Sequence, residues 1–230
     1  MKIAYQGVAG SYSESCAKKM YPGCETIPCK TFDECFERSS KDSSVKSLIP
    51  ESNKTTGNIG VEYLIFKYRL NIYAEHFFPI NHNLLGIKGS NLSEIKDVYS
   101  HAQALSQSSS FIKKNKLIEN VRADTAGSAK YVSEANDKTK AAIASSLSAE
   151  IYGLKILQEN VQDDKDNVTR FLLLGKDIFQ PDFSNESYIT SILFKLKSKP
   201  AALYSALSGF AINGVNMSKL QSFPEKNSFS

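Results

Sequence analysis

The 230 residues carry a formal net charge of +4, with 41% hydrophobic and 23% charged residues, a balance that supports one large domain with a small one, or two lobes around a cleft. It excludes a disordered chain, and the scattered basic residues exclude a nucleic-acid stripe, the densest patch at Ile112 to Lys116 reading as a solvated helix end. No run approaches the roughly 20 apolar residues of a membrane span, so a soluble protein with a small anionic ligand is the expectation.

Lys2 to Tyr5 predicts a strand, followed by a glycine turn from Gly7 to Ser13 and a helix from Glu14 to Met20. Such a junction aims backbone N–H groups and the positive end of a helix dipole at one point. Cys16, Cys24, Cys29 and Cys35 include no Cys-x-x-Cys pair and predict reduced thiols in a cytoplasmic protein. His76, His82 and His101 share no metal-ligand spacing with a carboxylate, so neither metal nor cofactor is expected. Thr31 to Ser40 reads as a second helix and Val45 to Ile49 as a strand, with Pro50 opening a polar loop that runs to Gly57. Val61 to Tyr68 has helical spacing and Leu70 to His76 alternates, a succession that predicts a parallel α/β sheet.

Further strands are expected at Asn83 to Lys88 and Val98 to Ser100, with Ser100-His101-Ala102-Gln103 at the carboxyl end of the second, where open α/β sheets bind ligands. Ser106 to Lys114 predicts a helix, and Val121 to Ala123 a strand leading to Asp124-Thr125-Ala126-Gly127, whose Asp124 or Thr125 caps the next helix. A strand at Ala141 to Ala144, a helix at Ser146 to Tyr152 and a short strand at Leu154 to Ile156 follow. Phe171 to Leu174 predicts a central strand that holds Thr169 at its edge. Residues 179–188 fall in a polar linker, beyond which Ile189 to Leu196 and Val215 to Leu220 read as strands flanking a helix from Pro200 to Phe210. A β-α-β unit of this size cannot bury its own faces and needs a partner.

Four separated segments resemble, in order, the prephenate dehydratases: Gly7 to Ser13; Ser100-His101-Ala102-Gln103 with Gln107; Asp124-Thr125-Ala126-Gly127; and Asn167-Val168-Thr169-Arg170-Phe171. Beyond the linker, Pro200-Ala201-Ala202-Leu203 and the run from Asn213 to Ser222 resemble the first half of an ACT domain. The resemblance implies a two-lobed, periplasmic-binding-protein-like (type II) α/β catalytic domain over 1–178, with lobes at 1–78 plus 160–178 and at 79–159 around a cleft. A truncated ferredoxin-like α+β ACT domain at 189–230 completes it. One loop departs from the family pattern: Pro50-Glu51-Ser52-Asn53-Lys54-Thr55-Thr56-Gly57 keeps proline, asparagine and glycine in place, but its glutamate sits one position early.

The implied reaction removes CO2 and hydroxide from prephenate to give phenylpyruvate. It asks for a proton or a strong hydrogen bond on the departing hydroxyl and for a site that holds a dianion. Thr169, Asn53, Ser100 and Gln107 are the expected catalytic residues, although a threonine ahead of a central strand also serves simply as a β-former. Ser11, Ser13, Thr55, Thr56, His101, Gln103, Thr125, Ala126, Arg170 and Phe171 are the expected substrate-binding set, each with a capping, core or ion-pair role as the alternative. Because adjacent strand residues point to opposite faces, Arg170 is expected behind the site, and Asn167 in a turn or cap. Ala201, Ala202, Leu203, Asn213, Gly214, Val215, Asn216, Gln221 and Ser222 would bind L-phenylalanine as effector in a homo-oligomer, a dimer or tetramer. Arogenate as substrate, or a non-catalytic anion-binding protein of the same fold, are the alternatives.

Overall fold

The computed structural model describes residues 1–178, 180, 188–192 and 194–222, and the chain divides into two units, 1–179 and 180–230. In the first unit β1 (Lys2–Gln6) runs through the glycine turn into α1 (Tyr12–Met20), which Ser11 caps by accepting from the Glu14 N–H at 3.3 Å. A strand that the residue pattern does not announce, β2 (Glu25–Cys29), follows; Pro28 interrupts its apolar run, and its place at a sheet edge leaves most of it half-buried or exposed. Next come α2 (Phe32–Lys41), capped by Thr31, then β3 (Val45–Asn53), β4 (Gly57–Asn58), α3 (Glu62–Lys67) and β5 (Asn71–Pro79).

The chain then builds a second sheet from β6 (Asn83–Gly86) and β7 (Asp97–His101), with α4 (Ala102–Ser106), a helical turn not expected ahead of Ser106, and α5 (Ser109–Lys114). β8 (Ile118–Arg122) leads to α6 (Thr125–Ala135), where Asp124 is the cap, accepting from the Gly127 N–H at 2.6 Å. β9 (Lys140–Ala144), α7 (Ser146–Tyr152) and β10 (Lys155–Gln158) complete that sheet, and β11 (Val168–Gly175) returns to the first.

The first sheet has the order β2-β1-β3-β11-β5, with β4 on β3, and the second β10-β6-β9-β7-β8. Both are mixed, which corrects the parallel expectation. β1 lies parallel to β2 and β3, whereas β11 is antiparallel to β3 and β5, and β6 is antiparallel to β9 and β10. The reason is the route: β11 enters after a whole second sheet has been made, so its direction is set by that return rather than by a βαβ crossover. As an interior strand it is apolar on both faces. Leu172 and Leu174 pack with Phe36, Ile49 and Leu64 on one side, Phe171 and Leu173 with Ile3, Leu48 and Phe78 on the other.

The first part of the loop expected from Pro50 to Gly57 is instead strand, as far as Asn53, and residues 54–56 form the turn into β4. Arg170 pairs with Ser52 and Phe171 with Pro50, so Glu51 is the extra residue of a β-bulge. A bulge tolerates a proline without an N–H, and the extra residue brings Asn53 into register opposite Thr169.

The second unit contains α8 (Ala202–Ile212). The strands expected at 189–196 and 215–220 do not form among the described residues. Period-2 apolar runs need a partner strand and a covered face to become sheet, and here Ile189, Ile192, Phe194, Val215 and Leu220 are exposed. Of the expected ferredoxin-like unit only the helix is present among the described residues, and the expected linker, 179–188, lies mostly outside them. No helix of the described residues is long and apolar enough to cross a membrane.

Candidate active site

Between the two sheets of the first unit lies a cleft of about 650 Å³, a size suited to a small molecule. Its floor is the paired ends of β3 and β11, where Thr169 stands opposite Asn53. Period-2 geometry puts Thr169 and Phe171 on the cleft side and turns Arg170 away. Arg170 Nε donates to Glu75 at 2.7 Å and its Nη1 to Glu51 at 3.3 Å. It is therefore withdrawn from the substrate-binding set, and the displaced Glu51 becomes its buried partner.

Asn53 organises the floor. Its Oδ1 accepts from the backbone N–H groups of Thr55 at 3.0 Å and Thr56 at 3.1 Å. Because backbone amides only donate, these contacts fix which end of the Asn53 amide is oxygen. Its Nδ2 consequently faces Thr169 Oγ1 at 2.9 Å and Asn167 Oδ1 at 2.8 Å. Thr169 receives this hydrogen bond, so its own hydroxyl proton is free for another acceptor. Thr55 contributes its backbone rather than a cleft-lining side chain, whereas Thr56 lines the cleft and accepts from Gln103 Nε2 at 2.9 Å, joining β4's hairpin to α4.

From the second sheet, His101, Gln103 and Gln107 line the cleft. Ser100 does not. It is fully buried, and its hydroxyl donates to the Ile143 carbonyl at 2.6 Å, just beyond the last paired residues of β7 and β9, Tyr99 and Ala142. Its expected catalytic role is corrected to ladder closure. Ser100→Ala should lower stability by about 1 kcal/mol and leave turnover near wild type, checked by thermal melting beside a rate assay; a large loss of turnover in a stably folded variant would contradict this.

Two helix starts face the cleft from opposite sides: α1, whose Ser11 and Ser13 line it, and α6, through Thr125 and the cap Asp124. Their free first-turn amides favour anions. Ala126 is fully buried and does not line the cleft. The glycine turn ahead of α1 is pinned to the second sheet's helix α7. Ser145 and Ser148 hydroxyls donate to the Gly10 carbonyl at 2.6 and 2.8 Å, and Tyr152 donates to the Ala9 carbonyl at 2.7 Å. Gly10, at φ +88°, has Ser148 Cα 2.9 Å from where a Cβ would stand, so no side chain fits. Glu14 accepts the Gly10 N–H at 2.7 Å; burial opposes its charge, but hydrogen bonds from Lys18, Gly10 and Thr26 outweigh that and hold its carboxyl below the usual range.

Sequence reasoning missed two polar residues here, Asn167 behind the wall and His82 in it. Asn167, expected in a turn or cap, is buried and bridges Asn53 to Gln107, donating to Gln107 Oε1 at 3.1 Å. His82 Nε2 lies 2.9 Å from the same oxygen, and its Nδ1 lies 2.7 Å from the Tyr12 hydroxyl. Burial pushes His82 below the ordinary histidine range, against the opposing hydrogen bond to Gln107. The tripeptide Asn81-His82-Asn83, polar residues ahead of a buried strand, was the available signal. Among the described residues no group of three or more His, Cys, Asp or Glu is placed to hold a metal, and all four cysteines are free thiols.

Of the residues expected to bind an effector, Ala202 and Leu203 form the first turn of α8, behind Ala201 at φ +60°. Asn213 Nδ2 donates to the Gly209 carbonyl at 2.7 Å, and Gly214, Val215, Asn216, Gln221 and Ser222 follow without strand.

The prephenate dehydratase family model matches residues 3–178. Arogenate dehydratase/prephenate dehydratase 1 of Arabidopsis thaliana, named as chloroplastic, is 41% identical over 228 residues, 98% of this chain and 58% of that protein. A solved quorum-quenching acylase, GqqA, is 32% identical with a TM-score of 0.85, covering 100% of this chain and 84% of the other. The crystal structure of prephenate dehydratase from Arthrobacter aurescens with L-Phe is 25% identical with a TM-score of 0.82, covering 100% and 77%. The chain spans under three fifths of the length of the plant relatives it matches.

Proposed function

The chain belongs to the prephenate dehydratase family, and from that premise we propose that it converts prephenate to phenylpyruvate with loss of water and CO2. The observation that carries this reading is the hydrogen bond from Asn53 Nδ2 to Thr169 Oγ1, which leaves the Thr169 hydroxyl proton available to another acceptor. As the C1–carboxylate bond breaks, its electron pair moves through the ring diene and expels the C4 hydroxyl. Thr169 donates to that oxygen as charge builds on it, and solvent supplies the proton that completes water. Aromaticity drives the step, so the protein's share is positioning and stabilisation of the leaving group. The starts of α1 and α6 suit the two carboxylates of a dianion. Gln103 and Gln107 supply neutral contacts that do not compete for the proton, and His101 lines the same wall.

We assign residues 189–230 to the beginning of an ACT-type regulatory segment, with phenylalanine as effector and a homo-oligomer as the assembly. The Arthrobacter relative crystallised with L-Phe supports that reading. Free thiols fit a reducing compartment, the cytoplasm in the simplest case.

The test is a side-by-side assay of the purified protein with prephenate, arogenate and an N-acyl-homoserine lactone, each with and without phenylalanine. Faster phenylpyruvate formation from prephenate than phenylalanine formation from arogenate is the expected result. Tight binding of prephenate with no turnover would favour a binding protein of the same fold.

A further inference from the structure

The polar wall of the cleft is polarised in one direction, and the direction is fixed by main chain. The Thr55 and Thr56 amides can only donate, so Asn53 Oδ1 faces them and Asn53 Nδ2 faces Asn167. The Asn167 atom it meets must then be oxygen, so Asn167 Nδ2 faces Gln107. The Gln107 atom there must again be oxygen, and that oxygen also lies 2.9 Å from His82 Nε2. A bare ring nitrogen against a carbonyl oxygen would be repulsive, so His82 Nε2 carries a proton. Nδ1 of the neutral ring is then the acceptor for the Tyr12 hydroxyl at 2.7 Å, so the single Tyr12 proton goes to Nδ1 rather than to the Asn81 carbonyl, which lies farther off at 3.0 Å. Reversing any one amide forces the next to reverse and ends in a clash with the Thr55 and Thr56 N–H groups.

This arrangement has a consequence for Gln107. Two donors converge on its Oε1, while its Nε2 is buried without a partner among the described residues, on a residue that lines the cleft. Burying an unmatched amide is costly, and a donor held this way is suited to a substrate oxygen. We propose that His82 is a positioning residue which, as the Nε2–H tautomer held by Tyr12, locks Gln107 so that its amide N–H group serves as a substrate hydrogen-bond donor. The proposal rests on the dehydratase reading and adds to it a residue that acts through Gln107.

Two measurements test it. Long-range 1H–15N NMR of the full chain labelled with 15N-histidine reads the tautomer directly, with or without turnover. His82 with Nε2 protonated and Nδ1 bare is expected, and the opposite tautomer overturns the proposal. Kinetics with prephenate then read the coupling. His82→Leu, which cannot donate, should lower kcat/KM by roughly ten- to a hundredfold, whereas His82→Gln, which keeps a donor near Nε2, should recover most of it. Because His82 acts through Gln107, His82→Leu/Gln107→Ala should be no slower than Gln107→Ala alone. Additive losses, or no recovery in a His82→Gln variant that melts like wild type, would show His82 to be a packing residue only. An inactive wild type would count against the dehydratase reading, leaving the NMR result to decide the tautomer.

Discussion

Thr169→Ala should lower kcat for phenylpyruvate formation by roughly a hundredfold to ten-thousandfold, the range seen when a positioned proton donor is removed, with KM changed far less. The residue sits between β3 and β5 in an interior strand, so alanine keeps the ladder and costs only about 1 kcal/mol for the lost hydrogen bond. The split between kcat and KM matters because the hydroxyl meets charge only as the C4–O bond breaks; binding relies on the helix starts and the amides. Thr169→Ser keeps an Oγ beside Asn53 Nδ2 and should retain most of the rate. Near wild-type turnover for the alanine variant would remove Thr169 from the reaction.

Asn53→Asp should be nearly as damaging, for a reason of direction rather than size. The carboxylate can still accept from the Thr55 and Thr56 N–H groups, but its second oxygen would face Thr169 Oγ1 and Asn167 Oδ1, both of which now accept from Asn53 Nδ2. Thr169 would then turn its proton to the introduced carboxylate and away from substrate. Protonating that carboxylate restores a donor toward Thr169 Oγ1 and Asn167 Oδ1. The variant's rate should therefore rise as pH falls, opposite to any loss caused by unfolding in acid. Steady-state rates across pH, with a melting curve at each value, check this. Since both changes act on one hydroxyl, Asn53→Asp/Thr169→Ala should be no slower than Thr169→Ala. A flat pH profile, or multiplicative losses, would count against the hub role of Asn53.

The altered loop from Pro50 to Gly57 takes on a different meaning in three dimensions. Read linearly, its early glutamate looks like damage to the site. The bulge at Glu51 instead returns Asn53 to register with Thr169 and gives Arg170 a buried partner behind the sheet. A one-residue shift would otherwise have sent every later side chain to the wrong face. The same alternation explains why Thr169 and Arg170, neighbours in the chain, do unrelated work.

Much of this was legible in the residues themselves. The Phe171 to Leu174 run announced an interior strand, Asp124 ahead of Thr125 announced a helix start, Ser146 to Tyr152 announced its helix to the residue, and Asn167 to Phe171 carried the family. These signals are local: capping, periodicity and motif order act within a few residues, so sequence alone determines them. The mixed sheets, the bulge at Glu51, the retirement of Ser100 to a ladder bond and the polarity of the Tyr12, His82, Gln107, Asn167, Asn53 and Thr169 chain were decided only by the tertiary structure. Every link of that chain joins residues 25 to 116 positions apart. Which end of each amide donates depends on what long-range pairing sets against it, and no local pattern encodes that.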